Sequence, residues 1–509
     1  MKQTIQETDN SLNMLQMVQQ NHWEALIDDV RKNKKIETKS AHIYGVPLLM
    51  VAILKKNPVA TQALLQLGCN PNSSIEGNVT AIALASAQNN KEALQLLLQY
   101  NADPYRPMQD NVTPLMLAIT KHNNEIARLL LLKGSKANKS IETEGFMLHS
   151  SIKSKQIKTA KNQLLHEIHK EIYIKNSKIS YGSNVLILAI IYKNYDIIDD
   201  LIKYNTNVNH IDKAKKSPLL YAVNSGRIDI VKKLIKHGAD VRLSVEDGWT
   251  VLMESVINGY FKITQFLLTQ NIDINQSTVR GKTPLMLAII RNDIKTTKLL
   301  IKHGADITTH MEYGSSVISI AVINNTVEIV KLLIHNNADV NKSNADGYTP
   351  LMFAVQNENY IITKILLKHG ASQYFISNKH ETALMFAVKQ KNKKLNTLLL
   401  KHGANLNIQD KWGNTALIYA CKKRREEAVN ELLKYNADPN IKNKKLNTAL
   451  IEAIIANSFT ITNALIKAGA DPLVRDEYGC NLSDIAIKSD NSKIFHLVDN
   501  LVLRDTIVQ

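Results

Sequence analysis

Four histidines, His237, His303, His369 and His402, each sit in a Lys-His-Gly triplet. Imidazole is the commonest metal ligand and can carry a proton near neutral pH. A metal or acid–base site needs two or three such groups converging on one point, whereas these recur singly, 66, 66 and 33 residues apart. That spacing marks a repeated structural position. The three cysteines, Cys69, Cys421 and Cys480, are equally scattered; they form no Cys-x-x-Cys pair and no disulfide framework, which fits a reducing compartment. Phosphate-loop, zinc-protease and nucleophile-elbow motifs are absent. No catalytic residue, metal ligand or cofactor is assigned.

Charge is the chemistry that remains. Lys and Arg number 63 against 46 Asp and Glu, a formal net charge of +17. Many lysines, among them Lys236, Lys302, Lys368 and Lys401, fall at expected helix ends, where they complement the helix dipole. One cluster stands apart: Lys389, Lys422, Lys423, Arg424 and Arg425, with Lys442, Lys444 and Lys445. It is a candidate surface for a polyanion, whether acidic protein, phosphoinositide or nucleic acid. Glu426 and Glu427 partly offset it, and no aromatic interleaving suited to base stacking is evident, so nucleic acid is not the expected partner.

The elements that must carry these groups follow a strict period. Thr349 opens TPLMFAV and Thr382 opens TALMFAV, 33 residues on. The same register runs from Asn184 through Ser217, Thr250, Thr283, Ser316, Thr349, Thr382, Thr415 and Thr448 to Asn481. A fixed period of this length means stacked supersecondary units. Thr or Ser supplies an N-cap oxygen, and Pro fits the first helical turn. Leu285 and Ala288 put a narrow apolar stripe on a first helix, whereas Ile329, Val330, Leu332, Leu333 and Ile334 give the second helix a wider one. Gly226 and Gly259, replaced by Asn89, Asn292, Asn325 and Asn457 elsewhere, suit a left-handed turn between helices. Asp247-Gly248, Asp346-Gly347 and Trp412-Gly413 read as β-turn fingers.

The opening Thr283-Pro284-Leu285-Met286-Leu287-Ala288 and the closing His237-Gly238-Ala239-Asp240-Val241 and Asn337-Ala338-Asp339-Val340-Asn341 resemble the ankyrin repeat family over almost all of residues 13 to 500. The family's His after Leu is here usually Met, as at Met116, Met253, Met286, Met352 and Met385, which should soften single repeats without changing the fold. The resemblance implies an all-α solenoid of helix-turn-helix units with β-turn fingers, and a non-enzymatic scaffold that grips a protein partner on its concave face. There the family uses finger tips and the exposed end of the first helix. By register these are Ile257, Ile290 and Ile323, seven residues after successive openings, with the tip aromatics Trp249, Tyr313, Tyr348, Trp412 and Tyr478. The alternative for the isoleucines is sideways packing on the neighbouring finger. LLTQNIDIN and LIHNNADVN further resemble ankyrin sequences hydroxylated at asparagine, which would make Asn275 and Asn341 modification sites.

Domain organisation follows the register. Residues 1–12 are expected to be disordered, 13–45 to form an N-terminal capping repeat that buries Trp23, and 46–145 to form ankyrin repeats. Residues 146–183 read as a degenerate repeat with an insertion, because Asn184 comes 38 residues after Phe146 instead of 33. Nine repeats span 184–480, and 481–509 read as a C-terminal capping repeat and tail. No stretch has the length and apolarity of a membrane span or signal peptide. A cytoplasmic monomer is expected, with export to a host cell by a signal-independent route as the alternative suggested by a resemblance to ankyrin-type effectors of intracellular bacteria.

Overall fold

Most repeats start where a capping side chain meets a helix too short to satisfy its own first N–H groups; Leu48–Leu54, preceded by Pro47, has no such cap. In the computed structural model, which describes residues 2–32, 41–134, 139, 165, 167–168, 182–489 and 491–499, the Thr283 hydroxyl accepts from the Met286 amide at 3.3 Å, and Pro284 occupies the first position of the helix Pro284–Ile290. Thr80, Thr113, Asn184, Ser217, Thr250, Ser316, Thr349, Thr382, Thr415, Thr448 and Asn481 cap their helices in the same way.

Burial is distributed differently from the apolar pattern. In Pro284–Ile290 the residues Pro284 to Ile289 are all buried, whereas the following helix, Ile294–Lys302, buries Thr296, Thr297 and Leu300. Within each unit the first helix packs on the first helices of neighbouring repeats and on its own partner, so it is the interior element. The second helix faces solvent on its outer side, which leaves Leu332 and Ile334 half-exposed. Methionine in place of histidine belongs to this interior: Met116, Met253 and Met286 are fully buried, and Met352 and Met385 nearly so.

The chain divides into two compact units, Met1–Ile272 and Asp273–Gln509. The first begins with the helices Lys2–Gln19 and Trp23–Lys32; the latter packs on the helix Pro58–Gln66, and its Trp23 is buried. Residues 1–12, expected to be disordered, are thus helical from Lys2. They hold good helix formers in Lys, Gln and Glu, and they run on into the buried Met14, Leu15 and Val18. Helix pairs follow at Leu48–Leu54, Ala81–Ala87, Pro114–Thr120, Val185–Ile191, Pro218–Asn224 and Val251–Ile257 with their partners.

Across the irregular segment the stacking skips. Val185–Ile191 packs directly on Pro114–Thr120, and the buried Asn194 amide donates to the Ile119 carbonyl at 3.0 Å and to Asn124 Oδ1 at 2.7 Å. The exposed Arg128–Asp200 pair, 2.8 Å, joins the same two repeats. The segment 146–183, read as a degenerate repeat with an insertion, lies mostly outside the described residues. Glu167, one of the few described there, meets Lys55 at 2.9 Å.

In the second unit, helix pairs headed by Pro284–Ile290, Val317–Ile323, Pro350–Gln356, Ala383–Gln390, Ala416–Lys422 and Ala449–Ile455 stack in chain order, followed by Leu482–Lys488 and a helical stretch over 492–499. Side-chain stitches tie consecutive repeats. Asn341 Nδ2 donates to the Gly370 carbonyl at 3.1 Å and its Oδ1 accepts from the Ser372 amide at 2.8 Å. Asn275 and Asn440 make the same pair of bonds one repeat onward, and Asn407 makes the second of them.

Candidate partner-binding surface

The fingers are β-turns held at both ends. In the second unit the Asn344 amide donates to the Tyr348 carbonyl, Asp410 to Asn414 and Asn443 to Asn447, each at 3.0 Å, closing these turns at their bases. Their tips are bonded to one another as well. The Arg280 carbonyl accepts from Glu312, Tyr313 from Ala345, Asp346 from Asn378, Lys379 from Lys411 and Trp412 from Lys444, at 2.8–3.0 Å. First-helix side chains brace the fingers from beneath: the Tyr419 hydroxyl donates to the buried Asp410 at 2.5 Å, and Glu452 accepts from Asn443 and Asn447. A surface held this way is organised before any partner arrives.

The tip aromatics divide by position. Tyr313, Trp412 and Tyr478, three residues before an opening, are 73%, 46% and 81% exposed. Trp249 and Tyr348, one residue before, sit at finger bases and are half-buried. The Trp249 indole donates to Glu254 at 2.7 Å, and Tyr348 stacks on Phe353 with a centroid separation of 5.5 Å and lies 5.7 Å from Phe386. Of the isoleucines, Ile290 and Ile323 end adjacent first helices of the second unit and are 42% and 43% exposed. Ile257, the last residue of its helix in the first unit, is half-buried.

The basic cluster separates into committed and free cations. Lys389 pairs with the buried Glu381 at 2.5 Å and lies 3.7 Å from the Tyr419 ring centroid; Lys422 lies 3.6 Å from the buried Glu452. Lys423, Arg424 and Arg425 follow the C-terminal end of Ala416–Lys422, whereas Lys442, Lys444 and Lys445 belong to a finger, which leads into the N-terminal end of the next first helix. Two further tip lysines, Lys379 and Lys411, share the 33-residue columns of Lys445 and Lys444, a register visible in the sequence alone.

Asn275 and Asn341, the two candidate modification sites, use both amide atoms in the stitches between repeats. His237, His303, His369 and His402 each hold, through Nδ1, a carbonyl four residues back in the preceding helix turn, at 2.8–2.9 Å. Among the described residues no group of three or more His, Cys, Asp or Glu could hold a metal ion, and no helix is long and apolar enough to cross a membrane. Burial pushes the Cys69 thiol up to about 11 and raises Cys421 further still, so neither is a ready nucleophile.

A family sequence profile described as "Ankyrin repeats (3 copies)" matches residues 49–142, 148–245, 242–311, 318–410 and 384–476. Among solved structures, the crystal structure of the ankyrin repeat domain of Bcl-3, described as a unique member of the IkappaB protein family, is 26% identical. The alignment covers 44% of this chain and 100% of that one, with a TM-score of 0.40. No curated protein matches the chain in sequence. With capped helix pairs, bonded fingers and a profile that spans most of its length, the chain belongs to the ankyrin-repeat family.

Proposed function

We propose that the chain is a protein-binding scaffold whose partner lies along the finger tips and the exposed ends of the first helices in the second unit. The general role, a non-catalytic interaction scaffold, is that of the family. The observation that carries the finer reading is the pair Ile290 and Ile323. Both hold large apolar side chains at equivalent, adjacent, exposed positions, although every other residue of Pro284–Ile290 and Val317–Ile323 is buried. Contiguous exposed apolar surface on a folded protein marks a contact site. Tyr313, exposed at a tip between these two repeats in the chain, adds an aromatic anchor of the kind interfaces favour.

The full chain with Ile290→Lys and Ile323→Lys should lose capture of its protein partner from a lysate while its helical circular dichroism stays unchanged. Undiminished capture would remove this face from the interface. A polyanion is the second reading, and Lys423, Arg424, Lys442 and Lys444, which make no ion pair among the described residues, favour it over the spent Lys389 and Lys422. An effector acting on host proteins in the cytoplasm is the finest form of the first reading. It rests on the Lys-, Asn- and Ile-rich composition, and a reporter-fusion translocation assay tests it.

A further inference from the structure

The finger tips of the second unit carry a chemistry of their own between residues 378 and 479. One 33-residue column of tip side chains reads Lys379, Trp412, Lys445, Tyr478, so that cation and aromatic alternate from repeat to repeat. The column before it adds Lys411 and Lys444. All six are exposed. The first three tips are physically joined: the Lys411 amide donates to the Lys379 carbonyl and the Lys444 amide to the Trp412 carbonyl, each at 3.0 Å. The only exposed acid at the four tips is Glu477, which lies 3.9 Å from Lys445. Trp412 therefore stands in a cationic field, with Lys411 Nζ 4.4 Å from its ring centroid.

We infer that this row of tips binds an extended acidic polypeptide segment, one with apolar side chains set between its carboxylates. The inference rests on the protein-scaffold reading above and names the partner's chemistry. Alternation along the row suits a chain whose carboxylates meet Lys379 and Lys445 while its apolar side chains meet Trp412 and Tyr478. Complementary charge also speeds and orients encounter. A nucleic-acid strand fits less well. Base stacking needs open aromatic platforms in succession; here the two aromatics are separated by a repeat bearing lysine, and Lys411 already lies against the Trp412 ring. Aromatic interleaving among the basic residues, not evident along the sequence, appears only once the fingers are stacked side by side.

The test uses the full-length chain and a labelled synthetic peptide of about twelve residues repeating Glu-Tyr-Asp-Leu, read by fluorescence anisotropy. Binding should weaken as salt is raised to about 0.3 M. It should fall on the order of tenfold in Lys411→Glu with Lys444→Glu, and severalfold in Trp412→Ala. Lys423→Glu with Arg424→Glu, at the far end of the first helix, should leave it unchanged. No peptide binding, or binding indifferent to the tip substitutions, overturns the inference. So does an oligothymidylate that binds more tightly than the peptide and is lost in the same variants. The variant carrying Ile290→Lys and Ile323→Lys reports separately on the scaffold reading: partner capture that depends on those isoleucines, with no peptide binding at the tips, sinks this inference alone.

Discussion

Two glycines with the same backbone show how much the tips depend on their neighbours. Gly403 (φ +77°) ends a second helix and Gly413 (φ +79°) sits at a finger tip, both in the left-handed region. A Cβ at Gly403 would meet nothing within 4 Å, so Gly403→Ala should cost only the conformational strain, about 1–2 kcal/mol. A Cβ at Gly413 would come within 2.8 Å of the Lys444 amide nitrogen and 2.9 Å of Asn443 Cα, backbone atoms of the next finger. Gly413→Ala should therefore cost a further 1–3 kcal/mol, roughly the range for overpacking, and disturb the bond from the Lys444 amide to the Trp412 carbonyl. Urea unfolding of the two variants checks the difference. Equal losses would mean that the tips are not rigidly apposed. The same dependence on neighbours explains why the tip aromatics could not be ranked by residue type. Trp249 and Tyr348 differ from Trp412 and Tyr478 in standing two residues closer to the helix, where Glu254 and the Phe353 and Phe386 rings engage them.

At the scale of elements, helix starts and turns were legible because each depends on local chemistry: a capping oxygen, a proline at the first position, a glycine or asparagine in a left-handed turn. The turn rule is looser than composition suggested, since Lys56, His122, Lys193, Glu358, Lys391 and Arg424 also adopt positive φ. Which helix is interior was not legible, because burial depends on neighbours from other repeats and not on the stripe within one. Nor was the direct contact of Val185–Ile191 with Pro114–Thr120, two helices far apart in the chain. Asn194 is the residue that reports on it: 2% exposed, with its amide on Ile119 and Asn124. Asn194→Ala leaves a buried carbonyl without its donor and should cost about 1–3 kcal/mol. If the two repeats were instead separated by a further helix pair, Asn194→Ala would be as mild as a surface change, and urea unfolding would show it.

Across the whole molecule, stability is the sum of repeats and of the junctions between them, and the junctions are not equal. The stitching asparagine recurs at Asn209, Asn275, Asn341, Asn407 and Asn440, at every second repeat as far as Asn407, while the repeats between those carry Arg242, Thr308 and Tyr374 at that position. These substitutes bond within their own finger: Arg242 pairs with Asp240 at 3.0 Å, the Thr308 hydroxyl donates to Asp306 at 2.7 Å, and the Tyr374 amide donates to the Ser372 hydroxyl at 3.3 Å. At the last of these junctions Gln373 compensates by reaching the Leu399 and His402 carbonyls. Within the second unit the finger side of the junction at Thr308 thus lacks this stitch, although Asn357 reaches the Val322 and Ile323 carbonyls across the same junction, and local opening is easiest where such bonds are missing. By register with Asn275, an asparagine at 308 would face the Asn337 carbonyl and the Asp339 amide. Thr308→Asn should slow hydrogen exchange at the Asp339 amide and raise stability by about 0.5–1.5 kcal/mol. Asn341→Ala should lower it by a similar amount and speed exchange at Ser372. Exchange at Asp339 that is already as slow as at Ser372 in the unaltered chain, or unmoved by the added amide, would show that helix packing alone sets the strength of each junction.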